Sequence, residues 1–191
     1  TLDCGIKASD KVTFANLHNI DFIICDHHLP DADIPNAVAV LDPKREDCTY
    51  PYVDLSGCGL GFKLIQAYAQ RFRREEEVFE YLDLVAVSIA SDIVPITGEN
   101  RILTYYGLKQ LNENPSPGLK ALKEIAATKN DLDVSGIVFT LGPRINAAGR
   151  IAHANGAVKL LIAAVEDEAM EMAFAINEKN DQRRVVDIDI T

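Results

Sequence analysis

Residues 21–28 read Asp-Phe-Ile-Ile-Cys-Asp-His-His, an apolar run that ends abruptly in a carboxylate and two imidazoles. Residues 21–25 predict a buried strand of the parallel type, because nearly continuous apolar runs occur where both faces of a sheet are covered. A second such run, Ala-Val-Ala-Val-Leu, occupies residues 37–41. In open parallel sheets, ligands bind just beyond the carboxyl ends of the strands. A binding site is therefore expected at Asp26, His27 and His28.

The segments around these strands complete an α/β pattern. Residues 1–4 are interpreted as the end of a further strand, and residues 134–139 are ambiguous between strand and helix. The spacing of apolar residues predicts helices over 57–72, 75–93, 99–111, 118–128, 156–164 and 166–190. Strand–helix alternation comes first and a helical half follows. We therefore expect a parallel sheet flanked by helices, then a helical half and the start of a long connecting helix.

Composition narrows the classes of function. The chain has 191 residues, 48% of them hydrophobic, and a net charge of −10, which argues against DNA binding driven by overall charge. A nucleic-acid substrate would need a local positive patch or metal ions. No apolar run approaches the roughly 20 residues of a membrane span, and no secretory signal is visible, so no membrane partner is expected. The four cysteines lack C-x-x-C spacing and predict free thiols in a reducing, cytoplasmic compartment.

Asp26, His27 and His28 suit a divalent cation. Carboxylate oxygen favours hard ions, whereas imidazole suits transition metals such as manganese, iron or zinc. The alternative is a polar loop whose histidines cap backbone groups. Asp3 adds to the first interpretation, because two neighbouring parallel strands that each end in aspartate would place both carboxylates at one edge of the sheet. Its own alternative is a cap on the following helix, aided by Gly5.

Asp92 is the third candidate carboxylate. It follows the most apolar helical stretch, Leu-Val-Ala-Val-Ser-Ile-Ala-Ser at residues 84–91. A carboxylate at the end of a buried helix is costly unless it is paired or binds a metal. The alternative is an exposed residue that ends the helix.

Two glycine-containing segments could bind phosphate. Residues 142–150 read Gly-Pro-Arg-Ile-Asn-Ala-Ala-Gly-Arg, and arginine offers a planar fork for phosphate oxygens. Between Lys120 and Leu160 the sequence has six basic residues and three acidic ones, so this region is the candidate for the local positive patch. The alternative is a structural turn whose arginines pair with acids. Residues 56–61, Ser-Gly-Cys-Gly-Leu-Gly, open a helix and favour close helix packing over anion binding.

Together these motifs resemble the DHH phosphoesterase superfamily and, within it, the RecJ family of 5′→3′ exonucleases specific for single-stranded DNA. The segment at 141–150, Leu-Gly-Pro-Arg-Ile-Asn-Ala-Ala-Gly-Arg, is far more specific than Asp-His-His alone. The other segments that carry the resemblance, in the family's order, are 1–6, 26–47, 56–64, 90–101 and 177–184.

The resemblance implies a set of roles for the candidate residues. Asp3 would bridge two Mn²⁺ or Mg²⁺ ions, and His27 and Asp92 would complete the protein ligands of one of them. His28 would face the scissile phosphate or help to orient the metal site. Asp26 would fix the tautomer of an imidazole. The residues that would contact the nucleotide or its phosphates are Arg144, Asn146 and Arg150.

The implied function is that of a catalytic core: two-metal hydrolysis of single-stranded DNA that releases 5′-mononucleotides. The alternatives are a nano-RNase or cyclic-dinucleotide phosphodiesterase of the DHH type, or a DHH domain that binds DNA without cutting it. Residues 1–165 would form the DHH phosphoesterase domain, and 166–191 would begin the long helix to a C-terminal domain. We expect an internal fragment that lacks the family's first, aspartate-rich motif and is nearly inactive by itself. The sequence leaves the oligomeric state open.

Overall fold

The computed structural model describes residues 1–128, 130–151 and 155–189, with backbone alone at 148–151, 179 and 182–189. The chain divides into two compact units, Thr1–Tyr105 and Tyr106–Thr191. The predicted domain boundary after residue 165 stays a prediction. The elements are α1 Ser9–Leu17, β1 Ile23–Cys25, β2 Ala39–Leu41, α2 Gly57–Phe72, α3 Glu75–Val78, a 3₁₀ turn Phe79–Tyr81, α4 Leu82–Ser91, α5 Gly98–Glu113, α6 Pro117–Ile125, α7 Val134–Gly136, a π-helical turn Ile137–Leu141, α8 Gly142–Ile151, α9 Asn155–Leu161 and α10 Glu166–Asp189. A small parallel sheet with helices, followed by a helical half, confirms the predicted α/β class.

The sheet has two parallel strands, and an N-terminal segment is joined to it by a single bridge. β1 pairs with β2 in the register Ile23↔Ala39, Ile24↔Val40 and Cys25↔Leu41. On its other side β1 forms a parallel bridge from Cys25 to Leu2. Both strands are shorter than the predicted 21–25 and 37–41. Two residues before β2, the N–H of Ala37 donates to the carbonyl of Pro35 (2.8 Å) and so does not pair with β1.

Helices α2 and α4 form the core of the first unit. Most residues of α4 are buried: Leu82, Asp83, Val85, Ala86, Val87, Ile89 and Ala90. The predicted continuous helix over 75–93 is wrong, because a 3₁₀ turn, closed by Leu82 N–H on the carbonyl of Phe79, separates α3 from α4. The buried apolar residues of this core are Leu55, Leu60, Phe62, Ala69, Val78, Leu82, Val85, Ile89 and Leu103.

The second unit is helical throughout its described elements. Residues 134–139, ambiguous in sequence, lie in α7 and the π-helical turn, and the side chain of Asp133 caps α7 by accepting Gly136 N–H (2.7 Å). Residues 142–150 lie in α8, so the interpretation of this segment as a turn is wrong. Pro143 near the start of the helix needs no N–H partner, and the alanines and arginines that follow favour helix. Among the described residues, no helix has both the length and the apolar character needed to cross a bilayer.

Candidate metal centre

Asp3 and Asp26 lie at the carboxyl edge of the sheet. Asp3 N–H donates to the carbonyl of Cys25 (2.9 Å), and Asp26 N–H donates to the carbonyl of Leu41 (3.0 Å), so each aspartate directly follows a paired segment. Asp3 has φ 62°, in the left-handed region that aspartate enters more readily than most residues. Parallel pairing therefore brings both carboxylates to one edge, as the sequence predicts.

The tautomer of His27 is fixed by the backbone. Its ring is buried, and Nδ1 lies 3.1 Å from the carbonyl oxygen of Leu55. Because a carbonyl oxygen only accepts, Nδ1 carries the hydrogen, and Nε2 keeps its lone pair in the neutral ring. Nε2 lies 3.0 Å from Oδ1 of Asp3 and 3.3 Å from Oδ2 of Asp92. Nε2 of His27 thus lies within 3.3 Å of a carboxylate oxygen from each of two aspartates.

Asp92 approaches this nitrogen from the end of α4, where it is the C-cap residue. It is exposed and ends the helix, as the alternative expects, and its carboxylate also lies 3.3 Å from Nε2 of His27, so its role as a metal ligand stays a prediction. The next residue, Ile93, has φ 55°. For a β-branched residue this conformation is strained by about 1–3 kcal/mol. The chain therefore holds an unfavourable turn directly beside this carboxylate.

Asp26 is buried, and both of its oxygens accept hydrogen bonds from the chain. Oδ2 accepts from the N–H of Ile6 (2.9 Å), while Oδ1 accepts from the N–H of His27 (2.8 Å), the N–H of His28 (3.2 Å) and Nδ1 of His28 (2.7 Å). Burial alone would raise the pKa of Asp26, but these hydrogen bonds outweigh it and lower the pKa. Asp26 is therefore an anion that shapes the loop.

His28 lies at the rim of the same cluster. Its side chain is 57% exposed, and its ring meets that of His27 edge-on, with centroids 4.7 Å apart. One donor atom each from Asp3, His27 and His28 lie within 4.8 Å of one another. Since Nδ1 of His28 is engaged by Asp26, Nε2 is the ring nitrogen left to meet an external group.

Each of these two pairs of donors, His27 with Asp3 and His27 with Asp92, has the spacing that a divalent cation requires. Two ligands bound at right angles, each about 2.1 Å from a cation, lie about 3 Å apart. The separations of 3.0 Å and 3.3 Å between Nε2 of His27 and the carboxylates of Asp3 and Asp92 agree with that spacing. Two carboxylates and one imidazole are a set that Mn²⁺ and Mg²⁺ accept.

Sequence reasoning missed two groups near this centre. One is the carbonyl of Leu55, which no sequence pattern marks. The other is Asp42, which follows β2 as Asp26 follows β1. Asp42 is 3% exposed, its Oδ1 accepts Lys44 N–H (2.8 Å), and its Oδ2 has no hydrogen-bond partner among the residues that the structure describes. Burial raises the pKa of Asp42, and the charge of Asp26 adds to this. Its position at the end of an apolar run was the signal that could have found it.

The predicted nucleotide-contacting residues belong to the second unit. Arg144 donates from Nε to Oδ1 of Asn177 (2.9 Å) and from Nη1 to the carbonyl of Thr140 (2.7 Å). Asn146 is exposed on α8. Arg150 lies in the same helix, and its side chain is outside the described part of the chain. The roles of all three residues stay predictions.

Comparison with known proteins shows which family the first residues resemble. The profile of the "DHH family, N-terminal domain" matches residues 1–89. Residues 1–89 are thus similar to a DHH domain. The match includes Asp3, Asp26, His27 and His28, and it ends three residues before Asp92. The resemblance inferred from the motifs is thereby confirmed.

The resemblance continues beyond the DHH domain. The single-stranded-DNA-specific exonuclease RecJ of Bacillus subtilis is 37% identical over 185 residues, which cover 96% of this chain and 23% of that protein. The crystal structure of RecJ from Thermus thermophilus in complex with Mn²⁺ matches with a TM-score of 0.88 and 28% identity, over 100% of this chain and 28% of that one. Its complex with Mg²⁺ matches with a TM-score of 0.76 and 27% identity, over 100% and 26%. The chain thus spans about a quarter of the length of these relatives.

Proposed function

We propose that this chain is part of the catalytic core of a metal-dependent exonuclease that hydrolyses single-stranded DNA from the 5′ end. The observation that carries the proposal is the convergence of His27 Nε2 with the carboxylates of Asp3 and Asp92 at the edge of the sheet. The similarity to RecJ proteins, whose names state this specificity, supports the choice of substrate.

Asp3, His27 and Asp92 would hold Mn²⁺ or Mg²⁺. When bound there, the cation supplies Lewis-acid activation of water and of the phosphoryl oxygens. Asp3 and Asp92 contribute negative charge, and His27 contributes the lone pair that the Leu55 carbonyl leaves on Nε2. In the proposed two-metal reaction, Asp3, the more exposed of the two carboxylates, would also bridge to a second ion.

His28 and Asp26 would act together on the substrate side. The 2.7 Å bond from Nδ1 of His28 to Oδ1 of Asp26 orients the ring. Nε2 of His28 would then face a non-bridging phosphate oxygen or the departing oxygen of the substrate. In this proposal Asp26 touches no substrate and positions His28.

The substrate contacts are proposed for α8. Arg144, Asn146 and Arg150 would bind the nucleotide or its phosphates in the region where basic residues outnumber acidic ones. This local excess would offset the overall charge of −10, which by itself disfavours a polyanionic substrate. The proposed place of action is the cytoplasm, and the four cysteines, which are free thiols in the structure as predicted, suit a reducing compartment.

The test uses the full-length protein with single-stranded DNA labelled at either end. We expect Mn²⁺- or Mg²⁺-dependent release of 5′-mononucleotides, which chelation abolishes. Asp3→Asn should abolish release, whereas Asp10→Asn, an exposed acid paired with Lys11, should leave it unchanged. Cleavage of two- to five-residue RNA or of cyclic dinucleotides, with long DNA untouched, would favour the other DHH activities. DNA binding without any hydrolysis would favour a non-catalytic domain.

A further inference from the structure

The turn Leu55–Gly57, which leads into α2, contacts the carriers of all three proposed metal ligands. We propose that this turn is the positioning element of the metal centre, and that Gly57 sets the affinity for the divalent cation by leaving room for the carboxylate of Asp3. The inference rests on the proposed function and adds to it a residue that binds no metal itself.

Gly57 lies against Asp3 without any space between them. A Cβ on Gly57 would stand 2.6 Å from Cβ of Asp3 and closer still to its carboxyl group. Asp3 has little freedom to retreat, because its N–H is bonded to Cys25 and its backbone already lies in the left-handed region. A methyl group at position 57 would therefore displace the carboxylate of Asp3 from its place 3.0 Å from Nε2 of His27.

The two residues before Gly57 connect the turn to the other ligands. The carbonyl of Leu55 accepts the hydrogen of His27 Nδ1 and so determines which ring nitrogen faces the metal. Ser56 is fully buried; its Oγ accepts Gly59 N–H (3.1 Å) and the hydroxyl of Ser88 (3.2 Å). Ser88 belongs to α4, whose C-cap is Asp92. Asp3, His27 and the helix that carries Asp92 thus share one support of three consecutive residues.

Ordinary helix packing is a separate requirement that the same helix allows us to measure. Gly61 also lies in α2, and a Cβ there would stand 2.9 Å from the end of the Leu2 side chain, one residue before Asp3. A flexible side chain can move aside, so Gly61→Ala tests packing of the same helix against the same segment. In the described part of the chain, an added Cβ at Gly156 in α9 would meet no heavy atom within 4 Å beyond its own stretch of helix, so Gly156 serves as the control without a packing contact.

The experiment measures Mn²⁺ binding by calorimetry in the full-length protein and its Gly57→Ala, Gly61→Ala and Gly156→Ala variants, together with thermal unfolding of each. We expect Gly57→Ala to raise Kd for Mn²⁺ by about tenfold or more, as loss of a group that orients a ligand does. The Mn²⁺ concentration for half-maximal nuclease activity should rise by the same factor, with kcat recovered at saturating Mn²⁺. The two control variants should stay within about twofold of the wild-type Kd.

The proposal is overturned if Gly57→Ala binds Mn²⁺ as the wild type does, or if Gly61→Ala weakens binding equally, since packing alone would then explain both. If circular dichroism shows that Gly57→Ala does not fold, Ser88→Ala takes its place. Loss of its bond to Ser56 should raise Kd by about threefold, and an unchanged Kd would overturn the proposal. If the wild-type protein binds no Mn²⁺, the proposed function itself is refuted. If the wild type and Gly57→Ala bind Mn²⁺ with the same Kd, only this inference is refuted.

Discussion

Asp26→Asn separates a structural aspartate from a metal-binding one at the same edge of the sheet. Four donors from the chain point at the two oxygens of Asp26: three meet Oδ1 and one, the N–H of Ile6, meets Oδ2. Asparagine has nearly the same shape but only one acceptor oxygen. In its best orientation the amide oxygen keeps the three donors, and the amide NH₂ then faces the N–H of Ile6, which is 1% exposed.

The magnitude follows from that mismatch. A buried donor without an acceptor costs about 1–3 kcal/mol, and the remaining hydrogen bonds lose the assistance of the negative charge. We expect the free energy of unfolding to fall by about 2–4 kcal/mol, because both effects apply at a residue that is 1% exposed. For a domain of this size the fall corresponds to a Tm lower by about 5–15 °C.

The assay is urea unfolding at pH 7 without divalent metal, and the unfolding transition is monitored by circular dichroism. Asp3→Asn is the matched control, because Asp3 stands at the same edge but its side chain is 58% exposed and shares Nε2 of His27 with a second carboxylate, that of Asp92. Its unfolding free energy should change by no more than about 0.5 kcal/mol, although its Mn²⁺ binding is lost. An Asp26→Asn protein within about 0.5 kcal/mol of the wild type would refute this account of the buried carboxylate.

Three further outcomes are expected. Burial raises the pKa of Asp42 above its value in the unfolded chain, so the folded state binds the proton more tightly. The unfolding free energy therefore falls as pH rises through the interval between the two pKa values. Asp42→Asn should remove this fall when Tm is measured from pH 4 to 8, and an unaltered pH profile of Tm would contradict the prediction. His28→Ala should lower kcat by about a hundredfold at saturating Mn²⁺ with Kd for Mn²⁺ unchanged, and a loss of metal affinity instead would make His28 a ligand. Arg144→Ala should lower kcat/KM by about tenfold to hundredfold, and Arg144→Lys should restore it in part. Because Arg144 also donates to the carbonyl of Thr140 and to Asn177, the Tm of each variant is measured too. A Tm lower by several degrees with unchanged kinetics would show that the role of Arg144 is structural.

The sequence by itself determined the order of elements and the residues at the sheet edge. An apolar run that ends in Asp26, His27 and His28 predicts a parallel strand and its carboxyl end. This prediction is possible because the pattern of apolar residues and the abrupt change to polar ones are local properties of the sequence. The same applies to helix α2, predicted over 57–72 and found at Gly57–Phe72. The resemblance to a family was also recognisable from the sequence, because its motifs are short, occur in a fixed order and contain charged and metal-binding residue types.

The local sequence pattern predicted the wrong secondary structure where the same composition is compatible with two conformations. Residues 75–93 are apolar enough for a single helix, but the 3₁₀ turn Phe79–Tyr81 interrupts it. The motif at 142–150 contains glycine and proline and suggested a turn, but an early proline is compatible with the first turn of a helix, and α8 forms. In each case packing against other segments selects between states of similar local energy.

Only the tertiary structure decided how each aspartate is used. Asp3, Asp26, Asp42 and Asp92 are the same residue type after similar apolar segments, but their surroundings differ. Asp26 accepts from three nearby residues, Asp42 is buried with one oxygen that meets no donor in the described residues, and Asp3 and Asp92 both lie close to a single ring nitrogen. That nitrogen is Nε2 because the carbonyl of Leu55, 28 residues away in the chain, accepts from Nδ1. Charge, burial and hydrogen-bond partners depend on distances across the fold, which local sequence does not encode.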